Sequence, residues 1–288
     1  MPERGEVEFV PVTLDARPLT IEAKFVGLER TRADAPLIVF LHEGLGSISM
    51  WRDFPERLAQ QGGYRALVYS RPGYGRSTPR DQAERWDVDF MHRQAQEVLP
   101  ALLQGLGLAH ERPWLFGHSD GGSIALLHAA AFPQRCSGVI ALAPHLFVEQ
   151  LSVQSIAATR ETYLSTDLRE KLGRHHEDVD SAFWGWNDIW LDPRFLEWNI
   201  EDEVARIARP VLAIQGEDDE YGTMAQIDAI ERAMREGGAA GSCRLLKLGA
   251  CGHSAHRDQP AAVIEASIGF ISQHAGTQST PTQTGDRR

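Results

Sequence analysis

Apolar and polar positions follow two different rhythms along the chain. Two early segments, residues 6–12 and 20–27, alternate apolar and polar positions and predict an antiparallel hairpin at a sheet edge. Continuous apolar runs predict strands that are buried on both faces of a sheet. These runs occupy residues 36–41, 64–69, 113–116, 137–142 and 210–215, and a further strand is predicted over residues 243–248.

Stretches with helical spacing of apolar positions separate the apolar runs. They predict helices over residues 49–61, 87–106, 123–131, 223–236 and 259–273. The long helix over 87–106 is expected to bend at Pro100. Because strands alternate with helices, the sequence predicts an α/β fold with a mostly parallel central sheet and helices on both faces.

One segment interrupts this alternation. Residues 145–205 are rich in helix formers and aromatic residues and contain no run typical of a buried strand. We therefore predict a core formed by residues 1–144 and 206–273 and a helical cap, or lid, over residues 145–205. Residues 274–288 have little to bury and are predicted to be a disordered tail.

Composition narrows the class of protein. The 288 residues are 42% hydrophobic and 24% charged, which is typical of a globular protein in water. A net charge of −11 argues against nucleic acid or an anionic membrane as a partner. The sequence leaves a homo-oligomer open.

The cysteines, the N-terminal residues and the lengths of the apolar runs bear on cofactors and on cellular location. The three cysteines have neither metal nor redox spacing, so we predict no metal and no cofactor. The N-terminus carries no apolar signal segment, and no run approaches the ~18 apolar residues of a membrane helix. We expect a cytoplasmic protein that acts on a small molecule.

The sharpest motif is Gly-His-Ser-Asp-Gly, which ends one apolar run and opens a helix. In this nucleophile elbow, Ser119 sits on a strained turn with its hydroxyl above the sheet edge. Gly117 and Gly121 flank it because a Cβ there would collide with the neighbouring strand or helix. The free N–H groups of the helix N-terminus would stabilise an oxyanion beside the serine.

A serine nucleophile requires a base and a group that orients the base. His253 follows the last strand in a glycine-rich turn, and we prefer it to His256. The acid should follow the strand that ends at residue 215, where residues 217–220 are four consecutive carboxylates. We prefer Asp219 to Asp218 as the group that orients the base.

The oxyanion hole should take one N–H from Asp120 and a second from the loop after residue 41. In that loop, Gly44 can present its N–H closely, and His42 is expected to orient the loop. Glu43 and His42 are therefore also candidates for contact with the substrate.

These motifs together resemble the α/β-hydrolase superfamily, in its group of cap-bearing esterase-like and C–C-hydrolase-like members. The resemblance covers roughly residues 6–273 and includes the glycine-rich loop over residues 71–77. In that family the acid commonly stands three residues after the strand-ending glycine, which here implies Asp219. Two positions depart from the family pattern: Glu43 replaces the usual glycine of the oxyanion loop, and Asp120 replaces an apolar or amide residue.

The cap and the resemblance together suggest the substrate. Trp184, Trp186 and Trp190 are candidates to line an apolar or aromatic acyl pocket. The leading hypothesis is a serine hydrolase of a small carboxylic ester or thioester that forms an acyl-enzyme. Alternatives are a C–C bond hydrolase of a diketone, a lyase or acyltransferase on the same triad, and a non-catalytic binding protein on this fold.

Overall fold

An eight-stranded sheet forms the centre of the molecule. We describe it from a computed structural model, which describes residues 5–28, 32, 34–81, 83–238 and 241–275. The strands are β1 (Val7–Leu14), β2 (Arg17–Gly27), β3 (Leu37–Leu41), β4 (Arg65–Tyr69), β5 (Trp114–His118), β6 (Gly138–Leu142), β7 (Val211–Gly216) and β8 (Cys243–Leu248).

The strand order is β1-β2-β4-β3-β5-β6-β7-β8. β1 and β2 pair antiparallel, β2 pairs antiparallel with β4, and all other neighbouring pairs are parallel. The predicted hairpin therefore does occupy one edge. Every residue of β3, β4, β5, β6 and β7 is buried, which explains why these strands are continuous apolar runs.

Helices cover both faces of the sheet. They are α1 (Phe54–Gly62), α2 (Phe90–Arg93), α3 (Leu99–Gly105), α4 (Asp120–Ala131), α5 (Gln150–Ser165), α6 (Leu168–Leu172), α7 (Val179–Trp190), α8 (Glu201–Val204), α9 (Ala225–Glu236), α10 (Ala255–Asp258) and α11 (Pro260–Ala275). Short 3₁₀ helices occupy Ile48–Trp51 and Pro193–Glu197. The apolar residues form two clusters, one on each face of the sheet. The predicted α/β fold is confirmed.

The predicted helix over residues 87–106 is helical from Phe90 to Gly105, but its hydrogen-bond pattern changes along its length. Gln94–Val98 form a π-helical turn between α2 and α3, in which the Leu99 N–H donates to the Gln94 carbonyl. In this pattern the carbonyl of Ala95 would accept from residue 100, but Pro100 has no N–H. The Nδ1–H of His128 donates to that carbonyl instead, at 2.7 Å.

The segment between β6 and β7 contributes helices to the fold. Within residues 145–205, all of which the structure describes, no residue joins the eight-stranded sheet. An isolated antiparallel bridge between Phe147 and Asn199 brings the two ends of the segment together. The segment leaves the sheet at the carboxyl end of β6 and returns at the amino end of the neighbouring parallel strand β7.

The C-terminal end of the described chain is helical. Residues 274 and 275, which begin the predicted disordered tail, end α11. Residues 276–288 of that prediction lie outside the described residues. No helix in the described part of the chain is long and apolar enough to cross a membrane.

Candidate active site

Ser119 stands at the turn between β5 and α4. Its φ of 53° and ψ of −122° are unusual for a residue with a side chain, as the tight elbow requires. A Cβ on Gly117 would overlap the Gly121 carbonyl, and a Cβ on Gly121 would overlap the Leu41 carbonyl. The two glycines therefore allow the elbow to pack against its own helix and against β3.

His253 and Asp219 approach each other from the loops after β8 and β7. The His253 Nδ1 and the Asp219 Oδ1 are 2.9 Å apart. The loop that carries His253 crosses the end of β7 closely, because a Cβ on Gly216 would overlap the Cys251 carbonyl. The preferred base and the preferred acid are thus paired, and Asp218 is an exposed neighbour.

Four donors converge on the Asp219 carboxylate. Its Oδ1 accepts from the N–H of Tyr221 at 2.8 Å and of Gly222 at 3.3 Å as well as from His253, and Oδ2 accepts from Gln215 at 3.2 Å. Burial acts to raise the pKa of this carboxyl, but the His253 hydrogen bond and charge and the Tyr221 N–H outweigh it and lower the pKa. Asp219 is therefore ionised at neutral pH.

Hydrogen bonds hold the loop after β3, which is the predicted oxyanion loop. The imidazole of His42 accepts from the Arg71 N–H at Nε2, and its Nδ1–H donates to the Glu43 carbonyl at 2.7 Å. Burial and the nearby Arg71 charge keep the pKa of His42 well below its ordinary value, so the ring is neutral. A Cβ on Gly44 would overlap the indole of Trp186, so only glycine lets this cap residue pack on the loop.

The Glu43 side chain is paired rather than free. Its two carboxylate oxygens lie 3.5 Å from His118 Nδ1 and 3.5 Å from Arg257 Nη2. Burial acts to raise the pKa of Glu43, but the contact with His118 outweighs burial and holds the pKa far below its usual range. His118 Nε2 also donates to the His253 carbonyl at 3.0 Å, so it links the oxyanion loop to the base loop.

Asp120 is fully buried beside Ser119. Its carboxylate lies 3.6 Å from Arg71 Nη2 and accepts from Trp190 Nε1 at 3.2 Å. Burial raises the pKa of Asp120 in spite of the Arg71 charge. The acid is thus a buried ion-pair partner, which accounts for its presence next to Ser119.

A cavity of about 110 Å³ brings these groups together. Its lining combines oxyanion-loop, elbow, cap and base-loop residues: Glu43, Gly44, Leu45, His118, Ser119, Asp120, His145, Ile156, Trp186, Trp190, Tyr221, His253 and Ser254. Larger grooves of about 750 and 510 Å³ open elsewhere, and Ser119, His253 and Asp219 line neither of them.

The sequence matches the model of the alpha/beta hydrolase family over residues 38–266. The chain belongs to the alpha/beta hydrolase family. It is accordingly an enzyme, a hydrolase. The match spans every strand from β3 to β8 and all of the cavity residues named above.

Individual relatives are distant. The hydrolase is 21% identical to a proline iminopeptidase of Lactobacillus helveticus over 84% of this chain and 92% of that protein. It is 22% identical to a 2-hydroxy-6-oxo-6-phenylhexa-2,4-dienoate hydrolase of Comamonas testosteroni over 82% of this chain and 87% of that protein. Its fold resembles the crystal structure of a proline iminopeptidase of Mycobacterium smegmatis, with a TM-score of 0.72, 18% identity and coverage of 93% and 98%.

Two candidate substrate contacts of the hydrolase lie away from the cavity. His42 is fully buried beneath the oxyanion loop, where it binds backbone atoms. Trp184 faces away from Ser119 along α7, in a small surface pocket, and packs under Arg160 at 5.3 Å. Helical spacing explains the difference, since Trp186 and Trp190 are four residues apart and share a face that Trp184 does not.

Sequence reasoning missed six residues that line the cavity of the hydrolase: Leu45, His118, His145, Ile156, Tyr221 and Ser254. His145 follows β6 at the same sheet edge as the other site groups, a position that could have identified it. Its burial lowers the pKa of the imidazole to about 3, so the ring is neutral. Ile156 of α5 and Tyr221 carried no sequence signal, because their role depends on how the cap and the acid loop pack.

Proposed function

We propose that this hydrolase cleaves a small carboxylic ester or thioester through Ser119, His253 and Asp219, with an acyl-enzyme intermediate. The observation that carries the proposal is the 2.9 Å pairing of His253 with a buried, ionised Asp219 at the cavity that contains Ser119. This pairing leaves Nε2 of His253 free to accept a proton.

In the proposed reaction, Ser119 Oγ bonds to the substrate carbonyl carbon while its proton passes to His253 Nε2. The carbonyl π electrons move to oxygen, and the N–H groups of Gly44 and Asp120 stabilise that oxyanion. When the carbonyl re-forms, the bond to the alcohol or thiol breaks, and the leaving group takes the proton from His253. Water then repeats the two steps on the acyl-enzyme and releases the carboxylic acid.

The cavity supports a short acyl group. A volume of about 110 Å³ equals the liquid volume of about four waters. Ile156, Trp186 and Trp190 supply an apolar wall that suits an acyl chain. The segment over residues 145–205 would then act as a lid that sets the acyl length.

A panel of p-nitrophenyl esters tests this function. We expect kcat/KM to be highest for acetyl to butyryl esters and to fall at least ~10-fold for octanoyl. Ser119→Ala should abolish turnover, while Ser165→Ala, an exposed serine on α5, should leave it unchanged. Trp186→Ala should move the optimum to longer chains, and Trp184→Ala on the same helix should not.

The Comamonas relative motivates a second candidate, a C–C bond hydrolase of a diketone. The same panel therefore includes acyl-CoAs, a ring-cleavage diketone and L-prolyl p-nitroanilide. If the diketone or the prolyl amide is turned over and no ester or thioester is, the proposal of an ester or thioester hydrolase is wrong.

A further inference from the structure

Two donors converge on the carbonyl oxygen of Glu43. His42 Nδ1–H donates to it at 2.7 Å and Arg71 Nη2–H at 2.8 Å. The N–H on the other side of the same peptide bond belongs to Gly44, which is the proposed oxyanion donor. Donors on a carbonyl oxygen draw electron density through the planar amide, so its N–H becomes a stronger donor.

Burial and three contacts hold Arg71 against the peptide bond between Glu43 and Gly44. Its side chain is fully buried, its guanidinium lies 4.7 Å above the Tyr74 ring, and its own N–H bonds to His42. Because that N–H occupies His42 Nε2, the imidazole must carry its proton on Nδ1 and donate to Glu43. Arg71 therefore donates to the Glu43 carbonyl itself and also fixes the tautomer of His42, which is the second donor.

The same guanidinium also reaches the second proposed oxyanion donor. Asp120 contributes the first N–H of α4, and its carboxylate lies 3.6 Å from Arg71 Nη2. Trp190 holds the other carboxylate oxygen. The carboxylate thus neutralises a buried cation behind the oxyanion hole.

We infer that Arg71 is a positioning residue of the oxyanion hole: it polarises and orients the 43–44 peptide, and the Asp120 carboxylate holds it in place and offsets its charge. The inference rests on the proposed function, because it needs an oxyanion formed on Ser119. It also explains why an acid, Asp120, stands beside an oxyanion site: its carboxylate anchors the cation.

A different role for Arg71 would be to bind an anionic group of the substrate. Its burial argues against this role, since the side chain has no exposed surface and is not among the residues that line the cavity. The Asp120 carboxylate, 3.6 Å from Arg71 Nη2, already pairs with the guanidinium. We therefore infer that Arg71 binds the peptide bond between Glu43 and Gly44 and does not bind the substrate.

A trifluoromethyl ketone measures the oxyanion directly. With 1,1,1-trifluoro-2-pentanone labelled with ¹³C at the carbonyl, Ser119 Oγ bonds to that carbon, its proton passes to His253, and the oxygen becomes an alkoxide. The ¹³C shift of this hemiketal reports the alkoxide's ionisation as pH is varied. A weaker oxyanion hole raises the pH at which the alkoxide takes up a proton.

Arg71→Met and Asp120→Asn should shift this ionisation in opposite directions. Loss of the cation should raise the midpoint by about one pH unit or more and lower kcat at least ~10-fold with little change in KM. Loss of the carboxylate should lower the midpoint, because the remaining charge favours the alkoxide. Arg71→Lys should recover part of the loss, and Arg76→Met, an exposed arginine of the same loop, should change nothing.

The outcomes separate the two claims. If the wild-type enzyme forms no hemiketal, the proposed function fails and this inference fails with it. If the wild-type hemiketal forms but both Arg71→Lys and Asp120→Asn keep the wild-type ionisation midpoint, only the inference is wrong, and Arg71 is a structural residue. If Arg71→Met does not fold, the Lys and Asn variants still decide between these results.

Discussion

Asp219→Asn tests how the base is oriented. Every group around this carboxylate is a donor: two backbone N–H groups, His253 Nδ1–H and the Gln215 amide. Three of them point at Oδ1, so an asparagine should place its oxygen there and its NH₂ toward Gln215, whose NH₂ would lose one of its three acceptors. The His253 tautomer would survive this change, and the main loss would be the negative charge.

The size of the loss follows from the geometry. With Nδ1 and Oδ1 2.9 Å apart, the delocalised charges of an imidazolium and the carboxylate are centred about 4 Å apart, which gives about 4 kcal/mol at an effective dielectric constant of about 20. That stabilisation arises only when His253 is protonated, in the transition state. Asp219→Asn should therefore lower kcat about 10³-fold with little change in KM.

The assay is turnover of p-nitrophenyl acetate at neutral pH. Asp218→Asn is the matched control, because it removes the same charge from the exposed neighbour and should stay within about twofold of wild type. Urea unfolding of both variants separates lost catalysis from lost stability. A loss below tenfold in a folded Asp219→Asn, or a larger loss in Asp218→Asn, would refute the assignment.

Two further predictions concern the oxyanion loop and acid stability. Gly44→Ala should lower kcat ~10²-fold or more, because the new Cβ would overlap Trp186 and displace the proposed donor. Gly269→Ala is the control, because a Cβ there has open space. Equal activity of the two variants would contradict this packing. Burial lowers the pKa of His145 to about 3 and of His176 to about 4 from the ordinary 6.5, so below pH 6.5 the unfolded chain binds protons that the folded chain does not. Each of these two groups contributes up to about 1.4 kcal/mol per pH unit between its two pKa values, and His42, whose pKa is also lowered by burial, adds to the effect. Stability should therefore fall as pH drops from 7 to 5, and a flat free energy of unfolding in urea over that range would contradict it.

The fold could be predicted from the sequence because burial leaves a periodic signal. A strand covered on both faces needs apolar residues throughout, so β3 and β7 stand out as continuous runs. The π-helical turn within the long helix was not predictable from the sequence. It depends on His128, which is distant in sequence and supplies the donor that Pro100 lacks.

The site was predictable where chemistry and strand ends coincide. Ser119, His253 and Asp219 each follow a strand, and parallel strands bring their carboxyl ends to one edge. The partners of the acids were not predictable. The pairing of Asp120 with Arg71 joins the start of α4 to a loop some fifty residues earlier in the chain, and only the packed structure brings them together.

Covalent trapping of Ser119 tests the central claim most directly. The folded wild-type hydrolase should gain the mass of one phosphonyl group when treated with a fluorophosphonate, and peptide mapping should locate that group on Ser119. Ser119→Ala should gain nothing, and His253→Ala should react at least ~10³-fold more slowly, because the base that accepts the serine proton is missing. Labelling of Ser119→Ala to the same extent, or a label on another residue of the wild-type chain, would contradict the account.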